Sequence, residues 1–165
     1  AKGLGMRVIG VDLRGFLFNP DSIPLDEFDT VENLHAVLPQ AEHLVLIAPH
    51  TPETEGLIGA EELALLPTGA VFINIARGAL VDEDALVAAL ESKHLAGAGL
   101  DVFAEEPLAE DSPFWAMPNV LVSPHSASTS DRENGRLTDL FCENLQRFLA
   151  GQPLVNVLET DRTAP

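Results

Sequence analysis

The sequence is poor in cysteine and in positive charge, and it has no long apolar run. Its one cysteine, Cys142, excludes an intrachain disulfide and fits a reducing compartment, so a cytoplasmic location is expected. No apolar stretch approaches the roughly 18 residues that a membrane-spanning helix needs. No basic segment leads into an apolar core as a secretory signal does. Lys and Arg number 9 against 26 Asp and Glu, for a formal net charge of -17. That balance favours solubility and argues against nucleic acid or an anionic membrane as a partner. No metal-ligand pattern is present: His35, His43, His50 and His94 are scattered, with no cysteine or carboxylate at ligand spacing. A starting methionine is also missing. "AKGLG" (1–5) reads as the last turn of a helix closed by glycine, and the expectation is that an N-terminal segment is absent.

What remains is a chain of 165 residues, 46% of them hydrophobic, enough for one globular domain with a core. "MRVIGVD" (6–12) reads as a strand and 13–29 as a proline- and acid-containing loop. Residues 30–40 have helical spacing up to a proline, and "HLVLIAP" (43–49) is a buried strand. A short helix follows at 59–67, then the strand "AVFINIA" (70–76). The next helix is expected at 82–92, with Asp82 as its N-cap. "LAGAGLDVF" (95–103) is a strand whose glycines imply close backbone approach. "NVLVSPH" (119–125) is the last strand. Residues 131–151 place apolar side chains at 137, 140, 141, 145, 148 and 149, one face of a helix that stops at Gly151. Cys142 lies beside that face and is expected to be a packed thiol. Phe114 and Trp115 are expected to pack a loop near the last strand.

Short apolar strands alternating with helices indicate α/β architecture, a Rossmann-like, doubly wound parallel sheet in three layers with both faces covered. Residues 1–158 are read as a partial dinucleotide-binding domain and 159–165 as a tail. Ligands bind such sheets beyond the carboxyl ends of the strands. Arg77, Glu106 and His125 all fall on loops at those ends. The planar, permanently charged fork of Arg77 suits a substrate carboxylate and can polarise an adjacent carbonyl. His125 can pass a proton near neutral pH. A carboxylate on its other nitrogen fixes the tautomer and favours the imidazolium. These groups can protonate a ketone oxygen but supply no hydride, which implies a nicotinamide cofactor. Asp12, at the end of the first strand, suits the ribose hydroxyls of that cofactor and opposes a 2′-phosphate, so NAD is expected over NADP. Arg14 works against that preference.

The stretches "GMRVIGVD", "NIARGALVDEDAL", "AGAGLDVFAEEPL", "FWAMPNVLVSPH" and "ENLQRFLAGQPLVNVL" run in one order across nearly the whole chain. In that order and spacing the chain resembles the nucleotide-binding domain of the D-isomer-specific 2-hydroxyacid dehydrogenases. The resemblance implies that Arg77 binds the substrate carboxylate, that His125 is the acid/base and that an acid orients it. The residues alone leave Glu105 and Glu106 open. The distance from Asp101 and the following Pro107 select Glu106. Asp101 is implied to contact the nicotinamide carboxamide. The backbone around Ala48, Pro49, Ile75 and Ala76 is implied to line the cofactor, as is the turn after His125, at Ala127. A homodimer and a small 2-oxo or 2-hydroxy acid substrate are implied too, with no metal.

The family's "GxGxxG" turn and the strand before it do not occur in the sequence. That strand lies at the centre of the doubly wound order, so a sheet in two pieces is expected, and this chain alone is expected to be inactive. Two other readings stand beside the dehydrogenase. One is a dinucleotide-responsive binding protein like the C-terminal-binding-protein corepressors. The other is a truncated product without catalysis.

Overall fold

The computed structural model describes residues 1–13 and 24–157. They divide into two compact units, Ala1–Ala127 and Ser128–Pro165. The first unit opens with a 3-10 turn at Lys2–Leu4. Gly5 closes it in the left-handed region (φ 79°), donating its N–H to the Lys2 carbonyl, which is the glycine stop expected there.

Among the described residues the first unit holds six short strands, all paired in parallel. β3 (His43–Leu46), β4 (Ala70–Asn74), β5 (Leu95–Leu100) and β6 (Val120–Val122) form one sheet in that order. β1 (Ile9–Asp12) and β2 (Glu27–Thr30) form a second sheet of two. The sheet is therefore in two pieces, as the sequence implies. β2 corrects the loop expected over 13–29. It has a single apolar residue, Phe28, between Glu27 and Asp29, so no apolar alternation betrays it. Its register, Ile9↔Glu27 through Asp12↔Thr30, is supported by Arg7, whose Nε lies 3.1 Å from Glu27. The Asp26 carboxylate also accepts the Val8 N–H at 2.7 Å. The rest of that loop, with Arg14, and the expected tail at 159–165 lie outside the described residues.

The helix expected at 30–40 is α1 (Leu34–Val37), flanked by 3-10 turns, with Leu34 and Leu38 buried. α2 (Ala60–Leu65) starts where the Glu62 carboxylate accepts the Gly59 N–H at 2.9 Å. The same carboxylate lies 2.7 Å from His35 Nε2, which ties α1 to α2. α3 (Glu83–Glu91) begins at the expected N-cap: Asp82 Oδ1 accepts the Ala85 N–H at 3.0 Å. Leu63 of α2 and Leu86 and Leu90 of α3 form one core with Leu46, Phe72, Ala98 and Leu100 on one sheet face. Phe72, at the centre of β4, is fully buried. Positions of the other register behave differently: Ile73 and Gly99 are half-buried, Val45 is exposed, and Leu121 is 73% exposed. Cover on both faces was expected; within this unit the covered face is the one under α2 and α3. Gly97 meets the expectation of close approach, since a Cβ there would lie 2.6 Å from the Asn119 carbonyl oxygen.

Register sets the functional edge. Leu46 pairs with Asn74, Asn74 with Leu100, and Leu100 with Val122. The chain thus leaves all four strands of the larger sheet at one level.

The second unit is built on α4 (Glu133–Leu149), closed by Gly151 at φ 62°. Its Asn144 side chain clamps Val155, accepting the N–H at 2.9 Å and donating to the carbonyl at 3.0 Å. Leu137, Phe141, Leu145 and Phe148 form the expected stripe but are exposed. Cys142 is exposed with them, against the expectation of a packed thiol. It sits beside a stripe that is itself uncovered. Among the described residues no helix is long and apolar enough to cross a membrane.

A two-stranded ribbon is marginal by itself, whereas β4 and β5 pair on both sides. Backbone amides of β1 and β2 are therefore expected to exchange with solvent about 100-fold faster than those of β4 and β5. Hydrogen exchange followed by NMR checks this, and equal protection in both sheets would contradict it.

Candidate active site at the carboxyl ends of the strands

The turn that carries Arg77 is built by a buried amide. Asn74 ends β4 and is only 2% exposed, so its side chain needs partners inside the protein. Its Oδ1 accepts the Ala76 N–H at 3.0 Å, and its Nδ2 donates to the Arg77 carbonyl at 3.1 Å. Asn74 was not singled out in the sequence. The signal was there, a lone polar residue inside the apolar run "AVFINIA". Arg77 itself is exposed and donates from Nη1 to the Ala76 carbonyl at 2.6 Å. Among the described residues no carboxylate lies within ion-pair distance of it, so its charge is not neutralised by direct contact. Gly78 comes next and is buried against the loop after β5. A Cβ there would lie 1.8 Å from the Phe103 carbonyl carbon, so only hydrogen fits.

The loop after β5 starts at Asp101, buried, with three donors on its carboxylate. Oδ1 accepts the Ser123 hydroxyl at 2.6 Å and the Ser126 N–H at 2.8 Å. Oδ2 accepts the Ala127 N–H at 2.9 Å. Between Ser123 and Ser126 lies His125, whose φ of 52° is rare for a residue with a Cβ. Asp101 thus holds the two N–H groups that this left-handed residue turns inward. Burial opposes ionisation of Asp101, but the hydrogen bonds from Ser123, Ala127 and Ser126, with the nearby His125, outweigh it and hold the carboxyl below the ordinary aspartate range.

Glu106 closes the arrangement. Its Oε2 is 2.8 Å from His125 Nδ1, and its Oε1 accepts the Phe103 N–H at 3.0 Å. Of the two acids it is Glu106 that meets His125. The hydrogen bond from His125 does most to hold its carboxyl below the usual glutamate range, followed by that from Phe103. The charges of His125 and Arg77 add to this, against a cost from burial. An ionised Glu106 can only accept, so Nδ1 carries the hydrogen and Nε2 is left to exchange a proton.

Of the remaining sequence-predicted positions, Ala48, Pro49, Ile75 and Ala76 follow strands of the larger sheet, and Asp12 ends a strand of the smaller one. Ala48 and Pro49 follow β3, where the fully buried Thr54 donates to the Pro49 carbonyl at 2.7 Å and braces the turn. Thr54, like Asn74, was missed in the sequence. Ile75 is exposed beside the buried Ala76. Asp12 ends β1 in the smaller sheet, exposed, with its Oδ1 accepting the Leu13 N–H at 2.6 Å. Phe114 is buried as expected; Trp115 is exposed and donates from Nε1 to the Ala109 carbonyl at 2.9 Å. A groove of about 620 Å³ at the opposite end of β5 and β6, between Leu90, Leu95, Pro113 and Met117, carries none of these groups. The strand-end set fits a dinucleotide: an exposed carboxylate at Asp12 for hydroxyls, and exposed apolar Ile47 and Ile75 for a flat ring.

Residues 1–127 match the family model for the D-isomer specific 2-hydroxyacid dehydrogenase, NAD binding domain. The chain belongs to this family. A glyoxylate reductase of Korarchaeum cryptofilum is 36% identical over 98% of this chain and 47% of its own length. A glycerate dehydrogenase of Methylorubrum extorquens is 37% identical over 96% of this chain and 47% of its own. The crystal structure of a D-isomer specific 2-hydroxyacid dehydrogenase from Xanthobacter autotrophicus Py2, in complex with NADPH and MES, matches with a TM-score of 0.77. It is 44% identical and the match covers 94% of this chain and 62% of that one. The chain spans about half the length of the curated relatives it matches.

Two acids at the site of this 2-hydroxyacid dehydrogenase domain contribute to its response to pH. Asp101 and Glu106 are both lowered in the folded state, so their stabilisation is fully present above the unfolded carboxylate range near about 4. It is lost as pH falls through their folded values. Asp101→Asn is expected to cost about 1–3 kcal/mol at pH 7, since the Ser126 and Ala127 N–H groups lose a charged acceptor. The difference from the parent chain should shrink below pH of about 4. Urea midpoints at neutral and acidic pH read this directly, and a pH-independent difference would contradict it.

Proposed function

We propose that this domain supplies the proton-transfer and carboxylate-binding groups of a dehydrogenase that interconverts a 2-oxo acid and a D-2-hydroxy acid. The observation that carries this reading is the hydrogen bond between Glu106 and His125, set on one sheet edge with Arg77, whose charge has no ion-pair partner among the described residues. In the reductive direction Arg77 takes the substrate carboxylate in its fork and orients the adjacent carbonyl. The hydride would come from a nicotinamide cofactor when one is bound. His125, protonated, gives the proton from Nε2 to the carbonyl oxygen and is left neutral, with Nδ1–H still on Glu106. Glu106 stabilises the imidazolium before transfer and holds the tautomer after it. Ile75, Ala76, Ala48, Pro49 and Ala127 line the cofactor in this reading, and Asp12 meets the ribose.

An unphosphorylated ribose is the better match for Asp12, whose carboxylate repels a 2′-phosphate. NAD is the preferred cofactor on that ground. The relatives' names point to short 2-oxo acids, and glyoxylate and hydroxypyruvate are the first to try. A cytoplasmic homodimer with no nucleic-acid or membrane partner completes the reading. The single free cysteine and the net charge of -17 support the location and the lack of polyanionic partners.

Turnover of glyoxylate and hydroxypyruvate with NADH and with NADPH tests this in the protein that carries the domain. His125→Asn is expected to lower kcat about 10²- to 10⁴-fold. Arg77→Lys should raise KM for the 2-oxo acid about 10- to 100-fold, because a charged bidentate contact becomes a point charge. Turnover that survives both substitutions would sink the assignment, and a preference for NADPH would remove the role given to Asp12.

A further inference from the structure

Three acids begin α3, and they do different things. Asp82 caps the helix. Asp84 is exposed. Glu83 reaches away from its own helix: its Oε1 accepts the N–H of Ala104, 21 positions along the chain, at 2.7 Å. The preceding N–H, on Phe103, goes to Glu106 Oε1. Two consecutive peptide N–H groups are thus divided between two carboxylates. The same segment rests on Gly78, without room for a methyl group. The Phe103 ring is buried and lies 6.0 Å from that of Phe114.

We infer that Glu83 is a positioning residue for the His125–Glu106 pair, acting through the peptide that joins Phe103 and Ala104. This rests on the reading of that pair as the proton-transfer groups. Glu83 holds the Ala104 N–H, which leaves Phe103 as the donor to Glu106 Oε1 and keeps Oε2 on His125. Without Glu83 the Ala104 N–H competes for the Glu106 carboxylate, and the dyad loses its alignment.

The ordinary role of an acid at a helix start is to favour the helix dipole. That role needs charge and tolerates a shorter arm. The inferred role needs reach and tolerates loss of charge. Glu83→Gln keeps the reach, while Glu83→Asp keeps the charge and is one methylene short. NMR on the full chain reads the pair directly: imidazole 15N shifts give the His125 tautomer, and side-chain carboxyl 13C shifts give the Glu106 titration. Thermal unfolding of each variant establishes that it is folded. Glu83→Gln is expected to leave both signatures in place. Glu83→Asp should lose the single Nδ1–H tautomer of His125 and move the Glu106 titration to higher pH. The opposite ranking, or no change in either variant, would overturn the inference. Glu106→Ala is the separate control, since it removes the acceptor on His125 Nδ1: if His125 keeps its single Nδ1–H tautomer there, the proton-transfer reading itself fails.

Discussion

The functional edge stands on a contact with no spare room, the backbone of Gly78 against the peptide that joins Phe103 and Ala104. It fixes the distance between two loops that leave adjacent parallel strands. One loop carries the cation and the other carries the acid. Register brings the strand ends level, but register alone leaves loops free to splay. A side chain at position 78 would separate them by more than an ångström, and the Arg77 charge would then fall away from Glu106. The strongest geometric demand in the site is therefore made by a residue with no side chain.

Around that contact the ionisable groups are held by hydrogen bonds more than by burial. Asp101 accepts two backbone N–H groups and Glu106 one, each with one side-chain donor as well, and these hydrogen bonds hold both carboxyls below their ordinary range. Both carboxylates face His125, one through a ring nitrogen and one through the backbone that follows it. Of the two only Asp101 is buried, while Glu106 is exposed. Their worth is in geometry: acceptor-only groups leave the histidine one orientation and one tautomer.

Much of this was legible in the sequence. The order of strands and helices, the N-cap at Asp82 and the placement of Arg77, Glu106 and His125 at strand ends follow from apolar runs and what punctuates them. β2 was not legible, because its pairing is a backbone matter and only one of its four side chains is apolar. Asn74 and Thr54 were passed over because a buried polar residue declares itself only when its partners are known. Glu83 was hidden by its neighbours, since three acids at a helix start look like one electrostatic preference. The exposure of Cys142 on α4 was misjudged for the opposite reason. Periodicity identifies an apolar stripe but not what covers it.

The left-handed backbone at His125 has a consequence for how position 125 can change. A side chain there must carry the chemistry and also accept φ of 52°. Asparagine accepts that conformation better than most residues, whereas alanine and β-branched residues resist it. Chemistry and backbone are therefore separable at this position by only a narrow set of replacements. A loss of activity on substitution by alanine reports a reshaped turn as much as a missing imidazole.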